Sequence, residues 1–214
     1  RIAVLPDGAD LVAAGGAGVA AVTAWRALVQ HATLRPAETA LIHGGSGGVG
    51  HAAVQVAAAS GAHVIATAAE GYHDEVAALG ADAVLDYNRG DLAEAVVDAA
   101  DGDGADVIVD HRLDEYLGFD AEVAAQGCRV VGIGENDPQI GFPQSSAARG
   151  KDLNLQLMSM FNTPSLADAL ADVASLWGED ITIEVAHSYG LEGAAEAQRA
   201  VMTDSFLGKL VIEP

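Results

Sequence analysis

The chain has 214 residues, half of them hydrophobic, a formal net charge of −21 at pH 7 and one cysteine, Cys128. So acidic a surface repels phosphate backbones and speaks against a nucleic-acid partner. The lone cysteine excludes an internal disulfide or a multi-cysteine zinc site, and no uncharged apolar run is long enough to span a membrane. Lysine occurs only at Lys151 and Lys209 against 31 acids, a balance suited to a salt-rich, halophilic cytoplasm that screens carboxylate repulsion.

In chain order, apolar periodicity predicts a helix over 19–31, closed by Pro36, and a first strand over 39–42. A glycine-rich turn and an alanine-rich helix to about Ala59 follow, with Gly61 placed as a C-terminal cap. Strands are expected over 62–67, 83–87, 105–110 and 129–134, separated by helices over 74–79, 92–100 and 115–125. Residues 139–146 read as loop. An alternating run over 153–161 reads as a half-buried strand, and Ser165 as the N-cap of a helix to Trp177. Short strands over 181–186 and 209–212 flank a helix over 192–202. Continuous apolar strands alternating with helices predict an α/β fold, a Rossmann-type doubly wound parallel sheet with helices on both faces. In such sheets ligands sit beyond the carboxyl ends of the strands, where strand order reverses.

The sharpest chemical signal is Gly45-Ser46-Gly47-Gly48-Val49-Gly50, which fits G-x-G-x-x-G between a strand and a helix. The three glycines permit a tight turn, close approach of backbone to a pyrophosphate, and close helix–strand packing. Free N–H groups and the positive end of the helix dipole then face the phosphates. Gly44-x-Ser46-x-Gly48 also satisfies the spacing of a hydrolase nucleophile elbow, with His187 available downstream; the complete glycine series favours phosphate binding. The seven histidines are dispersed and build no metal site, and Cys128, opening a strand, reads as core.

The order of these elements resembles the cofactor-binding half of a medium-chain dehydrogenase/reductase, in particular the zeta-crystallin-like quinone oxidoreductases. Thr23-Ala24-Trp25-Arg26-Ala27-Leu28, the 42–50 loop, Leu79-Gly80-Ala81-Asp82 with Asp86-Tyr87, and Gly208-Lys209-Leu210-Val211-Ile212 carry the likeness. The resemblance implies three parts: an entry segment and helix (1–35), a dinucleotide-binding domain (36–180), and a C-terminal segment (181–214) returning to a catalytic domain absent from the chain. It also implies a homodimer through the 153–161 strand, which a proline at Gln156 is expected to disrupt. The implied activity is hydride transfer to a small-molecule quinone or enone. The alternatives are a zinc-dependent alcohol dehydrogenase with its metal in the absent part, and a non-catalytic NADP(H)-binding module.

For the cofactor, an NAD site places an acid at the end of the second strand, about 20 residues past the glycines. Ala66-Thr67-Ala68-Ala69 stands there, and the first acid is Glu70, which favours NADP(H). Tyr87 matches a tyrosine of NADP-binding relatives; their lysine has no counterpart, and His73 is the nearest substitute. Asp110-His111-Arg112-Leu113 departs from the family's Asp-Ser-Val-Gly and reads equally as a narrowed nicotinamide pocket, a phosphate contact or a drifted loop. The expected cofactor-binding residues are Thr23, Gly45, Gly47, Gly48, Val49, Gly50, Thr67, His73, Tyr87, His111 and Gly134. No residue stands out as catalytic.

Overall fold

The computed structural model describes residues 2–214. The first helix, α1 (Leu11–Trp25), starts eight residues before the position that periodicity predicts. Gly15, Gly16 and Gly18 hide it from a propensity argument. The Asp10 side chain caps it by accepting from the N–H groups of Val12 and Ala13. Gly16 is there for contact: a Cβ would stand 3.2 Å from the Ile183 methyl, so the smallest residue lets the C-terminal segment lie against the helix. Beyond Trp25 the helix widens into a π-helical turn, Arg26–His31. The buried Arg26 there donates to the Ser159 carbonyl at 2.7 Å and bonds Gln30 at 3.0 Å.

The main sheet comprises β1 (Thr39–Ile42), β2 (His63–Ala68), β3 (Ala83–Asp86), β4 (Ala105–Asp110), β5 (Ala124–Gly132) and β6 (Asn154–Leu157). Its order is β3-β2-β1-β4-β5-β6, parallel throughout. Strand order therefore reverses between β1 and β4, the place where such sheets bind ligands. Side chains alternate across it. Leu41, Ile65, Ile108 and Val130 pack on one face against α4 (Leu92–Ala99) and α5 (Leu113–Val123). Ile42, Val64, Val107 and Val131 pack on the other with α1, α2 (Gly50–Ala59), α3 (His73–Ala78) and α7 (Leu166–Ser175). Both layers are closed, which is why the strands read as continuous apolar runs.

The last part departs most from expectation. A helix, α6 (Ser145–Gly150), begins in the last two residues of the stretch read as loop and runs beyond it, and β6 stops at Leu157, short of Phe161. The strand expected over 181–186 is β7 (Val185–Gly190), because Ile181 bridges back to Trp177 and turns the chain first. β7 pairs in parallel with β8 (Lys209–Glu213) across α8 (Ala194–Thr203), a two-stranded ribbon against α1. α5 and β5 divide at Val123/Ala124, where α5 gives way directly to extended backbone.

Candidate functional site

The glycine loop leaves β1 at the switch point and enters α2. Gly45 N–H donates to the Thr67 carbonyl at 2.7 Å, and Gly44 N–H to the Thr67 hydroxyl at 3.1 Å, so the end of β2 pins the start of the loop. Gly50 has no alternative residue: a Cβ would lie 1.9 Å from the Gly44 carbonyl oxygen. The N–H groups of Gly48, Val49 and Gly50 meet no acceptor among the described residues. Together with the α2 N-terminus they form a concave row of donors, the arrangement that holds an anion. A cavity of about 480 Å³ opens beside them, walled by His43, Gly44, Val109, His111 and Gly134. A second, of about 760 Å³, adjoins it through Val49, Ile133 and Gly134 and extends along Thr23, Met158 and Phe161.

The structure thus brings Gly47, Gly48, Val49, Gly50, His111 and Gly134 around one cavity and sets Thr23 in the next. Gly45 lies behind, packed on Ala66 and Val76. Thr67 is buried and spends its hydroxyl on the loop. His73 sits at the end of β2, its Nε2 3.3 Å from the Ala68 carbonyl. Tyr87 stands half-exposed just past β3. The carboxyl end of β2 carries no buried acid: Glu70 is solvent-exposed in the turn that follows. The His111-Arg112 pair divides its tasks. The His111 ring lies against Gly44, where a Cβ would meet it at 2.9 Å, while Arg112 turns outward to Glu115.

Beneath the cavity lies a cluster of ionisable side chains without solvent. His43 Nε2 is 2.9 Å from Asp120 Oδ1, and the His43 ring stacks on Tyr116 at 4.7 Å. The Asp120 and Asp110 carboxyls are both fully buried, and the Oδ2 atom of each has no hydrogen-bond partner among the described residues. Geometry alone would read His43–Asp120 as an ion pair. Burial argues for uncharged partners: it lowers His43 to about 4 and pushes Asp120 up to about 8. Asp110 rises to about 7, through burial and then the Asp120 carboxyl beside it. His111 stands outside this dry layer, exposed at the cavity wall, and is lowered as well, by partial burial and then the neighbouring His43 and Arg112. A neutral cluster avoids the cost of an isolated buried charge.

Residues 48–175 match the family described as zinc-binding dehydrogenase. The chain belongs to that family, within the medium-chain dehydrogenases/reductases. It is 31% identical over 91% of its length to a phenolphthiocerol/phthiocerol polyketide synthase of Mycobacterium tuberculosis, and 32% identical over 99% to polyketide synthase GfsB of Streptomyces halstedii. It spans only 9% and 4% of those proteins. Among solved structures it resembles an NAD-dependent alcohol dehydrogenase (TM-score 0.91, 28% identity, 99% of this chain and 61% of that one). It also resembles the CurK enoyl reductase (TM-score 0.82, 25% identity, 97% and 64%). A nicotinamide-cofactor-binding oxidoreductase domain is therefore the frame for this site.

Within this dehydrogenase domain, reading motifs along the sequence missed two kinds of residue. Lys209 opens β8, far from the loop in sequence, yet its side chain lies over Gly48: a Cβ there would be 3.0 Å from Cδ and 3.3 Å from Nζ. It is the nearest ammonium to the donor row, held there because Gly208 N–H donates to the Ser46 carbonyl at 2.9 Å. The only available signal was the Gly208-Lys209 pair in a chain with two lysines. The His43–Asp120–Asp110 cluster had no local signal, since Asp120 is 77 positions from His43.

Proposed function

We propose that the chain is the cofactor-binding part of an NADP(H)-dependent reductase acting on an enone or quinone, in the manner of the zeta-crystallin-like branch, and that a substrate domain outside this chain completes the site. The observation that carries this reading is the row of unsatisfied N–H groups at 48–50, facing a cavity with Lys209 above it. A dinucleotide diphosphate suits such a cradle, and only glycine at position 50 lets the turn close against the Gly44 carbonyl. When bound, the nicotinamide supplies the hydride.

The chain's own residues bind and orient. Gly48, Val49 and Gly50 donate backbone N–H groups, Lys209 adds positive charge, and His111 with Gly134 walls the side toward the second cavity. At the far end, the carboxyl terminus of β2 itself holds no acid to repel a 2′-phosphate, the first being the exposed Glu70 in the turn beyond, and His73 and Tyr87 follow β2 and β3 there. The apolar lining of the second cavity, with Met158, Met160 and Phe161, suits an uncharged conjugated carbonyl substrate. The likeness to polyketide synthases and to the CurK enoyl reductase supports the enone over the quinone. A zinc-dependent alcohol dehydrogenase would need its ligands elsewhere: no group of three potential ligands occurs among the described residues.

Fluorescence titration of the chain with NADPH and NADH tests the proposal. Tighter binding of NADPH is expected. A clear preference for NADH overturns the cofactor assignment, and binding of neither overturns the site.

A further inference from the structure

His51 is the one polar residue of the glycine loop's helix that neither the cofactor cradle nor the family pattern explains. It is fully buried on the first turn of α2. Its Nδ1 lies 3.0 Å from the Gly47 carbonyl oxygen, which also accepts from the His51 backbone N–H at 3.0 Å. Its other ring nitrogen, Nε2, has no partner among the described residues. Burial lowers its basicity, so the ring is neutral and carries one N–H. A carbonyl can only accept, so that proton is on Nδ1, and Nε2 is left as a lone pair without a donor.

An orphaned buried acceptor costs stability, on the order of the desolvation of one polar group. If His51 only filled space, an apolar side chain of similar size would do so without that cost. What the imidazole adds is a second donor on the Gly47 carbonyl. The Gly47–Gly48 peptide is planar and trans, so its N–H points opposite to its C=O. Holding the carbonyl toward the helix turns the Gly48 N–H outward, to the cavity side. The same N–H is one of the three that lack a protein acceptor.

We infer that His51 is a positioning residue for the phosphate loop: its Nδ1–H clamps the Gly47 carbonyl and thereby aims the Gly48 N–H at the bound anion. The inference rests on the dinucleotide-binding reading for its consequence, though not for the clamp itself. Gln55 lies one turn further along, donating to the His51 carbonyl at 3.0 Å and to the Thr182 carbonyl at 2.9 Å. The same turn of α2 is thereby tied to the segment that leads into β7.

Two variants separate aiming from packing. His51→Leu keeps bulk and removes both ring nitrogens; His51→Asn offers an amide N–H near the place of Nδ1. In the 214-residue chain His51→Leu is expected to melt no lower than the native protein but to bind NADPH about tenfold more weakly, the worth of one hydrogen bond. His51→Asn is expected to stay within about threefold of native, on the same scale. Native affinity in the Leu variant, or equal loss in both variants, overturns the inference. Nitrogen-15 spectra of the native imidazole read the clamp without any cofactor. The Nδ1–H tautomer and a Gly48 amide resonance that moves in His51→Leu are expected; an Nε2–H tautomer or an unmoved Gly48 amide overturns it. If the native chain binds no dinucleotide, the functional proposal falls, and the clamp is still decided by these spectra.

Discussion

Replacing Asp120 by asparagine should remove most of a pH dependence of stability that the buried cluster imposes. In the fold, Asp120 keeps its proton up to about pH 8, against an ordinary value of 3.8. Between those values the native state holds a proton that the unfolded chain has lost, so stability falls as pH rises, by about 1.4 kcal/mol per pH unit per proton. His43 works in the opposite sense: it drops to about 4 from 6.5, so between those values the unfolded chain binds the extra proton and stability rises with pH; the exposed His111 adds only a solvent-screened contribution of the same sign. Above pH 6.5 the histidine contribution is complete and the carboxyls act alone. From pH 6.5 to the release near pH 8, one proton over about one and a half units amounts to about 2 kcal/mol. Asp110, which rises only to about 7, adds a smaller part. For a chain of this length that corresponds to a fall in Tm of roughly 4–8 °C between pH 6.5 and 9. Asparagine keeps the shape of Asp120 and can still bond His43, but cannot ionise. Urea unfolding at pH 6.5 and 9, in molar salt to screen the acidic surface, is the assay. A native stability that is flat or rising over this range, or an Asp120→Asn variant that declines as steeply as the native chain, refutes the neutral cluster.

Other consequences follow from the loop and the sheet edge. Gly50→Ala places a Cβ 1.9 Å from the Gly44 carbonyl, and should cost about 3 kcal/mol in urea melts as well as dinucleotide binding. Lys209→Met retains the stem packed on Gly16 and Gly48 but removes the charge; NADPH affinity should drop about tenfold or more, and the drop should shrink as salt rises. The free edge of β6 is proposed to pair with its twofold mate, giving a dimer that tightens with salt in light scattering. Gln156 is the wrong place to test it. Met158 N–H donates to Gly132, so the N–H of Gln156, two residues back, also faces β5 while that of Leu157 faces outward. Leu157→Pro should therefore abolish the dimer, and a dimer that survives it does not use this edge.

The fold was legible wherever burial on both faces imposes a continuous apolar strand and a glycine marks the exit. β1 to β4 appear within about a residue of their expected bounds, because no other arrangement hides those side chains. α1 was half-legible: Gly15, Gly16 and Gly18 lower helix propensity, and the reason for Gly16 lies in Ile183 and Lys209, far along the chain. β7 slipped by four residues because a local apolar run, Ile181 to Ile183, is consumed by packing under Trp177 rather than by a strand. The first miss follows from a contact far along the chain and the second from a tight turn under Trp177, and each overrode the local preference.

The candidate site divides along the same line. Backbone chemistry can be read from glycine spacing, since the spacing is itself the steric condition for the loop. Side-chain chemistry cannot, because it depends on what surrounds a residue. Asp110 looked like the end of a strand and Asp120 like any helix acid; in a dry layer, burial raises both carboxyls far above their solvated values. The overall charge of −21 makes this more informative. A chain that places acids freely on its surface has no solubility reason to bury two, so the buried pair reflects its position beside His43 and beneath the cavity. Because His43 lines that cavity and bonds Asp120, while Val109 and His111 on either side of Asp110 line it too, a charge brought into the cavity acts on the pair at short range in a poorly solvated layer. The proton lost above pH 8 and the anion bound at the loop are therefore coupled, and removing Asp120 should alter the pH dependence of dinucleotide affinity as well as that of stability.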